Sequence, residues 1–136
     1  MIRLATLDDV PRMAELSDLT PAHLTDAFVR MDMLLDDHSM FFLERITPSV
    51  FEAHMVFEPE HRGKSAIASA KAGLAIAFGQ LNAAVVFGRI PVEDRAARLL
   101  TRLIGFVSDG IRPRHEGGPL CEWFEMRSPA LCHKHS

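Results

Sequence analysis

Glu52 and His54 are the residues of this chain best suited to proton transfer. They lie two positions apart in segment 50–57, where apolar residues recur at every second position: Phe51, Ala53, Met55 and Phe57. This alternation predicts a strand, in which Glu52 and His54 share the opposite face. A histidine titrates near neutral pH without much tuning, which suits a general base. The alternative is that both are ordinary polar residues on a solvated or interface face.

The segment after this strand has the composition of a phosphate-binding loop. It reads Arg62, Gly63, Lys64, Ser65 and Ala66, and apolar residues with helical spacing follow it. A helix N-terminus presents unpaired backbone N–H groups and the positive end of the helix dipole, and both favour a bound anion. The alternative is an ordinary charged loop, with solvated basic side chains and Ser65 as a plain N-cap.

Two further segments carry residues that can bind ligands. Asp94 precedes a predicted helix, where aspartate is a favoured N-cap, and contact with a cofactor is its second possible role. Cys132, His133 and His135 are metal-ligand types within four residues. Structural zinc needs four ligands held by the fold, so we predict no metal site. The chain has no G-x-S-x-G motif that would indicate a serine nucleophile.

Alternating strands and helices must position these residues. Hydrophobic spacing predicts the order β-α-α-β-β-β-α-β-α-β-β. Strands are expected over 2–6, 30–35, 40–46, 50–57, 83–90, 106–111 and 120–126, and helices from Asp8 or Asp9, from Thr20, and over 65–78 and 92–103. The helix between 50–57 and 83–90 predicts that these two strands are parallel. In the last helix, Ala96, Leu99, Leu100 and Leu103 are expected to face the core.

Length and composition indicate a single domain over residues 1–136, with a loosely ordered tail from 127. Hydrophobic residues make up 48% of the chain and charged residues 24%, which is enough apolar surface for a core. A net charge of −3 indicates neither nucleic acid nor an anionic membrane as partner. No apolar run approaches the roughly 20 residues of a membrane span. Two cysteines without an export signal predict a cytoplasmic location.

Two segments resemble motifs of the GNAT (Gcn5-related N-acetyltransferase) superfamily. Residues 57–68 (FEPEHRGKSAIA) are similar to its strand, V-x-P-x-x-R-G-x-G-x-G/A loop and helix. Residues 90–97 (IPVEDRAA), followed by 103–106 (LIGF), look like its N-x-x-A…Y-x-x-x-G-F helix, with Asp94 in the place of the asparagine. With the opening IRLAT-x-x-D, the resemblance covers nearly the whole chain. It is closest to small GNAT-like proteins of bacteriophages and prophages.

The resemblance implies an α/β (α+β) GNAT fold with a mixed central sheet of about six to seven strands and about four helices. It also implies an acetyl-CoA-dependent N-acetyltransferase whose acceptor is a small-molecule or protein amine. Backbone groups of Met55, Val56 and Phe57 would pair with the pantetheine arm of acetyl-CoA. Residues 62–66 would bind the pyrophosphate, and Asp94 would contact the cofactor.

For catalysis, the resemblance implies that Glu52 or His54 removes the proton of the amine, and a homodimer through the last strand is expected. Three positions depart from the superfamily pattern. Ser65 and Ile67 stand where glycine is usual, and Thr101 stands where a tyrosine often protonates the leaving thiolate. The alternative function is therefore a catalytically degenerate GNAT-like structural or interaction protein. Its partners would be phage structural proteins, and its location the virion.

Overall fold

Seven strands and four α-helices make up the part of the chain that the computed structural model describes, residues 1–129. Their order is the predicted one. The elements are β1 (Arg3–Leu4), α1 (Val10–Leu16), α2 (Pro21–Arg30), β2 (Met31–Leu35), β3 (Ser39–Thr47), β4 (Val50–Phe57), α3 (Lys64–Gly79), β5 (Val85–Pro91), α4 (Arg95–Ile104), β6 (Val107–Pro113) and β7 (Leu120–Arg127).

The strands form one mixed sheet in the order β1-β2-β3-β4-β5-β7-β6. The β4–β5 pair is parallel, and the other neighbouring pairs are antiparallel. Helix α3 connects the two parallel strands, because a parallel pair needs a crossover rather than a hairpin. The predicted mixed sheet, strand number, helix number and parallel pair are confirmed.

Each face of the sheet has its own apolar cluster. One cluster joins α3 and α4 to the sheet through Phe41, Phe51, Leu74, Ile104 and Phe124. The other packs α1 and α2 against β2, β3 and the end of β4, and contains Met13, Leu24, Met33, Met40 and Val56. On the second face, the helices of this cluster, α1 and α2, cover only the half of the sheet formed by the N-terminal strands. Helix α3, which follows the predicted phosphate-binding loop, lies on the first face.

Helix boundaries follow local capping and correct two of the predicted starts. The predicted Ser65 N-cap is wrong, because Gly63 occupies that position of α3. Residues 92–94 form a turn rather than the first turn of α4, since the Asp94 carboxylate accepts a hydrogen bond from Ala97 N at 3.1 Å and so sets the start of the helix. Gly105 ends α4 with φ 119°, which few residues other than glycine adopt.

The rotation of α4 differs from the prediction. Leu100 and Ile104 pack against the core, as predicted for Leu100, whereas Ala96 is exposed and Leu99 and Leu103 are 59% and 55% exposed. We attribute this rotation to Glu122, a buried carboxylate on β7. Arg98 and Arg102 of α4 both donate hydrogen bonds to it. Keeping these cations over the sheet turns the two leucines outward.

Residues 127 and 128, predicted to begin a loosely ordered tail, are held by the sheet. Arg127 is the last residue of β7, and Ser128 is buried and donates its backbone N–H to Ala84 O at 2.8 Å. Residues 130–136, with the cysteine and histidines considered as metal ligands, lie outside the described residues, and the single domain over 1–136 stays a prediction. Among residues 1–129, no helix is both long and apolar enough to cross a membrane.

Candidate cofactor and catalytic site

Strands β4 and β5 pair only at their beginnings. The pairs are Val50–Val85, Phe51–Val86 and Glu52–Phe87. Beyond them, β4 stays paired with β3 to Phe57, and β5 stays paired with β7 to Pro91. The two parallel strands therefore separate, and the backbone of β4 borders a gap along the predicted residues Met55, Val56 and Phe57.

The N-terminus of α3 follows the end of β4 and is open to a ligand. Gly63, its N-cap, has φ 98° and ψ −134°, a conformation that residues with a Cβ rarely adopt. No side chain of residues 1–129 caps this helix, and its first backbone bond runs from Ile67 N to Gly63 O at 3.0 Å. The N–H groups of Lys64, Ser65 and Ala66 therefore have no partner within the helix. A helix end with unpaired N–H groups favours a bound anion, as the sequence predicts for residues 62–66.

A cavity of about 180 Å³ lies beside this helix end. Phe57 at the end of β4, Ser65 and Ala66 of α3, and His38 of the β2–β3 turn are among the residues that line it. Of the predicted cofactor residues, Phe57, Ser65 and Ala66 therefore share this depression, whereas Met55, Val56 and Asp94 do not line it. Arg62 and Lys64 are exposed beside it.

Asp36 fixes the β2–β3 turn against α3. Its Oδ1 accepts hydrogen bonds from His38 N (2.9 Å), Ser39 N (2.8 Å) and Ser39 Oγ (2.6 Å), and its Oδ2 accepts one from Ser69 Oγ on α3 (2.6 Å). Burial alone would raise the pKa of Asp36, but these hydrogen bonds outweigh it and lower that pKa. The sequence predicts a turn here and gives no indication of the bond to α3.

Glu52 and His54 share a face of β4, as predicted, but their surroundings differ. Glu52 is 2% exposed, and its two oxygens accept hydrogen bonds from Arg89 Nε at 2.6 Å and Arg89 Nη2 at 2.8 Å. His54 Nε2 lies 3.9 Å from Glu52 Oε1, and 38% of the His54 side chain is exposed. The solvated-face alternative is therefore wrong for Glu52, which forms a buried ion pair beside a partly exposed imidazole.

Sequence reasoning missed Arg89, which organises this face of the sheet. The hydrogen bond with Glu52 raises the pKa of Arg89, which keeps the guanidinium charged. Its Nη1 donates to Arg114 O at 2.9 Å, and its guanidinium lies 5.3 Å from the centroid of the Trp123 ring. A signal was present, because Arg89 is the only charged residue within the apolar strand predicted over 83–90.

Glu122 is a second buried carboxylate, on the face of the sheet that carries α4. It is 3% exposed and accepts hydrogen bonds from Arg98 Nε (2.8 Å), Arg102 Nη2 and Ser108 Oγ (2.6 Å). Burial opposes ionisation, but these three donors outweigh it and lower the pKa of Glu122 to about 2 from an ordinary value of 4.5. The cluster joins α4, β6 and β7.

Two other residues considered at the sequence level hold the backbone of α4. Asp94 is the N-cap, so its capping role is confirmed, and its contact with a cofactor stays a prediction. Thr101 Oγ1 donates to Ala97 O at 2.7 Å, one turn earlier in the same helix. The Thr101 hydroxyl is therefore used in a hydrogen bond within α4.

Comparison with known proteins identifies the fold. No protein-family model matches the chain, and no curated protein is similar to it in sequence. Among solved structures, a variant of the spermidine N-acetyltransferase SpeG from Vibrio cholerae matches with a TM-score of 0.77 at 16% identity, over 100% of this chain and 99% of that one. A second variant matches with a TM-score of 0.78 at 16% identity, over 100% and 98%. The chain therefore has the fold of these N-acetyltransferases, the predicted GNAT fold.

Proposed function

We propose that this chain is an acetyl-CoA-dependent N-acetyltransferase that acts on an amine. The observation that carries the proposal is the separation of β4 from β5 beside the open N-terminus of α3. The solved structures with this fold are spermidine N-acetyltransferases, which supports an amine acceptor. A small-molecule amine and a protein amine both remain acceptor classes for the proposal.

The residues around the gap fit the extended shape of the cofactor. The backbone of Met55 and Phe57 offers donors and acceptors to the amide groups of a pantetheine arm, because these groups point away from β3 and β5 does not use them. The predicted backbone contact of Val56 is less suitable, because the alternation set by the Glu58–His38 pair directs its backbone groups to β3. The N–H groups of 64–66 face the site proposed for the pyrophosphate, and Gly63 lets the chain turn there without a side chain. When bound, acetyl-CoA supplies the acetyl thioester.

His54 is the proposed proton acceptor, with Glu52 as its partner. Both oxygens of Glu52 already accept hydrogen bonds from Arg89, so this carboxylate is held in place. The His54 imidazole lies beside this ion pair and is partly exposed, so an amine can reach it. Arg89 and Glu52 thus position and support the base rather than exchange protons with the substrate.

The predicted exposed edge of the last strand is wrong, because β7 lies between β5 and β6 and is paired with both. A homodimer is proposed instead through β6, which is an edge strand of the sheet. All seven residues of β6 are exposed, including Val107 at 67% and Ile111 at 54%. An exposed edge with apolar side chains can pair with another strand. Sedimentation equilibrium at micromolar concentration tests this, and a monomer would contradict it. The cytoplasmic location, the phage or prophage subtype and virion partners stay predictions from the sequence.

The test of function is acetyl transfer by the full-length chain. We expect thiol release from acetyl-CoA in the presence of spermidine or another amine, with the acetylated amine identified by mass spectrometry. His54→Ala should lower kcat about 100-fold, the usual contribution of a general base. The matched control is His23→Ala, which changes an exposed histidine on α2 and should leave kcat unchanged. No turnover with any amine would contradict the proposal and favour the catalytically degenerate alternative.

A further inference from the structure

His38, Glu58 and His61 bring three metal-ligand side chains together at the edge of the cavity. Each offers one ligand atom, and these atoms all lie within 4.8 Å of one another. His38 Nδ1 lies 3.4 Å from Glu58 Oε2. The two imidazole rings are stacked, with centroids 3.4 Å apart and planes inclined by 11°.

Backbone hydrogen bonds hold the three residues in place. His38 belongs to the β2–β3 turn, Glu58 follows β4, and His61 ends the short helical turn before α3. Glu58 N donates to His38 O at 2.9 Å, and His61 N donates to Glu58 O at 2.9 Å. The backbone of the cluster is therefore organised without a ligand, so binding would need to order only side chains.

Arg12 supports the carboxylate from the side away from His38. Its Nη2 donates to Glu58 Oε1 at 2.8 Å and to Asp37 O at 2.6 Å. Because Arg12 bonds to Oε1, Oε2 remains on the side of the histidines. Outer partners of this kind orient the ligands of metal sites.

We propose that His38, Glu58 and His61 form a binding site for a divalent transition-metal ion, with zinc as the first candidate. Two imidazole nitrogens and one carboxylate oxygen are a donor set that zinc uses, and three protein ligands leave a position open to water. Ring lone pairs lie in the ring plane, so two nearly parallel rings cannot aim at one ion. Binding must therefore tilt the rings apart, which makes the loss of the stack a signature of the bound state.

A second trio of potential ligands, on β3 and β4, is less suitable. Glu44, Glu52 and His54 also place ligand atoms within 4.8 Å of one another. Both Glu52 oxygens, however, already accept hydrogen bonds from Arg89, so a cation there would have to displace a guanidinium. The cluster at His38 needs no such exchange.

Zinc titration of the full-length chain tests the proposal. The protein is prepared without an affinity tag, stripped with EDTA and dialysed, and Zn²⁺ binding is followed by calorimetry. We expect one equivalent to bind, and the double variant His38→Ala/His61→Ala to weaken binding at least tenfold. A matched variant, Cys132→Ser/His133→Gln/His135→Gln, removes the other run of metal-ligand types and should retain binding.

A second readout separates ligation from a change in folding. In NMR spectra of the imidazoles, Zn²⁺ should shift the signals of His38 and His61 and leave those of His23 and His115 unchanged. No zinc binding, binding unaffected by the double variant, or binding lost only in the C-terminal variant would each overturn the proposal. These experiments contain no acetyl-CoA, so their failure would not bear on the acetyltransferase function.

Discussion

Replacing Arg89 with alanine should destabilise the protein far more than replacing a neighbouring arginine. Arg89 provides the only two hydrogen bonds to the Glu52 carboxylate found among the described residues, and Glu52 is 2% exposed. Arg89→Ala therefore leaves a buried carboxylate without a counterion, which typically costs about 3–5 kcal/mol. Because 21% of the Arg89 side chain reaches solvent and water can partly replace it, we expect about 3 kcal/mol from this source. The lost bond to Arg114 O adds about 1 kcal/mol.

Arg112→Ala is the matched control. Both guanidinium groups lie over the Trp123 ring, Arg112 at 4.2 Å and Arg89 at 5.3 Å, so both variants lose a comparable contact with the indole. The Arg112 ion pair with Asp109 is exposed on both sides, at 45% and 60%, and such pairs contribute under about 1 kcal/mol. The difference between the variants therefore reports on the buried pair.

Urea unfolding followed by circular dichroism measures the effect. A loss of about 3–4 kcal/mol moves the midpoint by about 1.5–2 M for a slope near 2 kcal/mol/M. Glu52→Gln should lower the free energy of unfolding by only about 1–2 kcal/mol. The group that then loses its partner is Arg89, which is 21% exposed and can be hydrated, whereas Glu52 is only 2% exposed. If Arg89→Ala lies within 1 kcal/mol of Arg112→Ala, or if Glu52→Gln costs more than Arg89→Ala, the reasoning about the buried carboxylate is refuted.

Two further substitutions test the contacts that fix α4. Glu122 ionises with a lowered pKa in the folded chain, so its contribution to the free energy of unfolding is present above pH 4.5 and is lost as the pH falls from 4.5 to about 2. The full shift corresponds to about 3.4 kcal/mol, which we reduce to about 2 because both arginines reach solvent. Glu122→Gln should remove that dependence in acid titrations of stability, and Glu125→Gln should not; equal profiles would contradict the account. Gly105→Ala should cost about 1–2 kcal/mol in the same unfolding assay, since φ is 119° and a Cβ would lie 3.3 Å from Met126 Cε; an unchanged midpoint would show that the turn does not need glycine.

The sequence predicts the order of the elements because hydrophobic spacing and turn residues act locally. The alternation in 50–57 gives the strand over Val50–Phe57, and the intervening helix gives the parallel pairing of β4 with β5. Gly63, which precedes α3, has a positive φ, and this explains why the loop motif has glycine at that position. These features depend on short segments, and each segment carries its own signal.

The parts that could not be predicted depend on contacts between distant segments. Arg89 meets Glu52 across 37 residues, and Arg98 and Arg102 meet Glu122 across 24 and 20 residues. Helical spacing alone placed Leu99 and Leu103 in the core, because the buried acid that turns α4 lies on another strand. For the same reason, His38 and His61 were not considered together, since the β2–β3 turn and the β4–α3 loop meet only in the folded chain.

The central claim is that the opening between β4 and β5 and the N-terminus of α3 bind acetyl-CoA. Isothermal titration with acetyl-CoA and CoA tests it most directly, using Gly63→Val and the control Gly79→Ala at the other end of α3. A Cβ meets no atom within 4 Å at either glycine, so neither variant creates a clash; the two positions differ in the positive φ of Gly63 and in its place at the proposed cofactor site. We predict micromolar binding that Gly79→Ala keeps and Gly63→Val loses. No binding at millimolar acetyl-CoA, or binding that Gly63→Val leaves unchanged, would contradict the account.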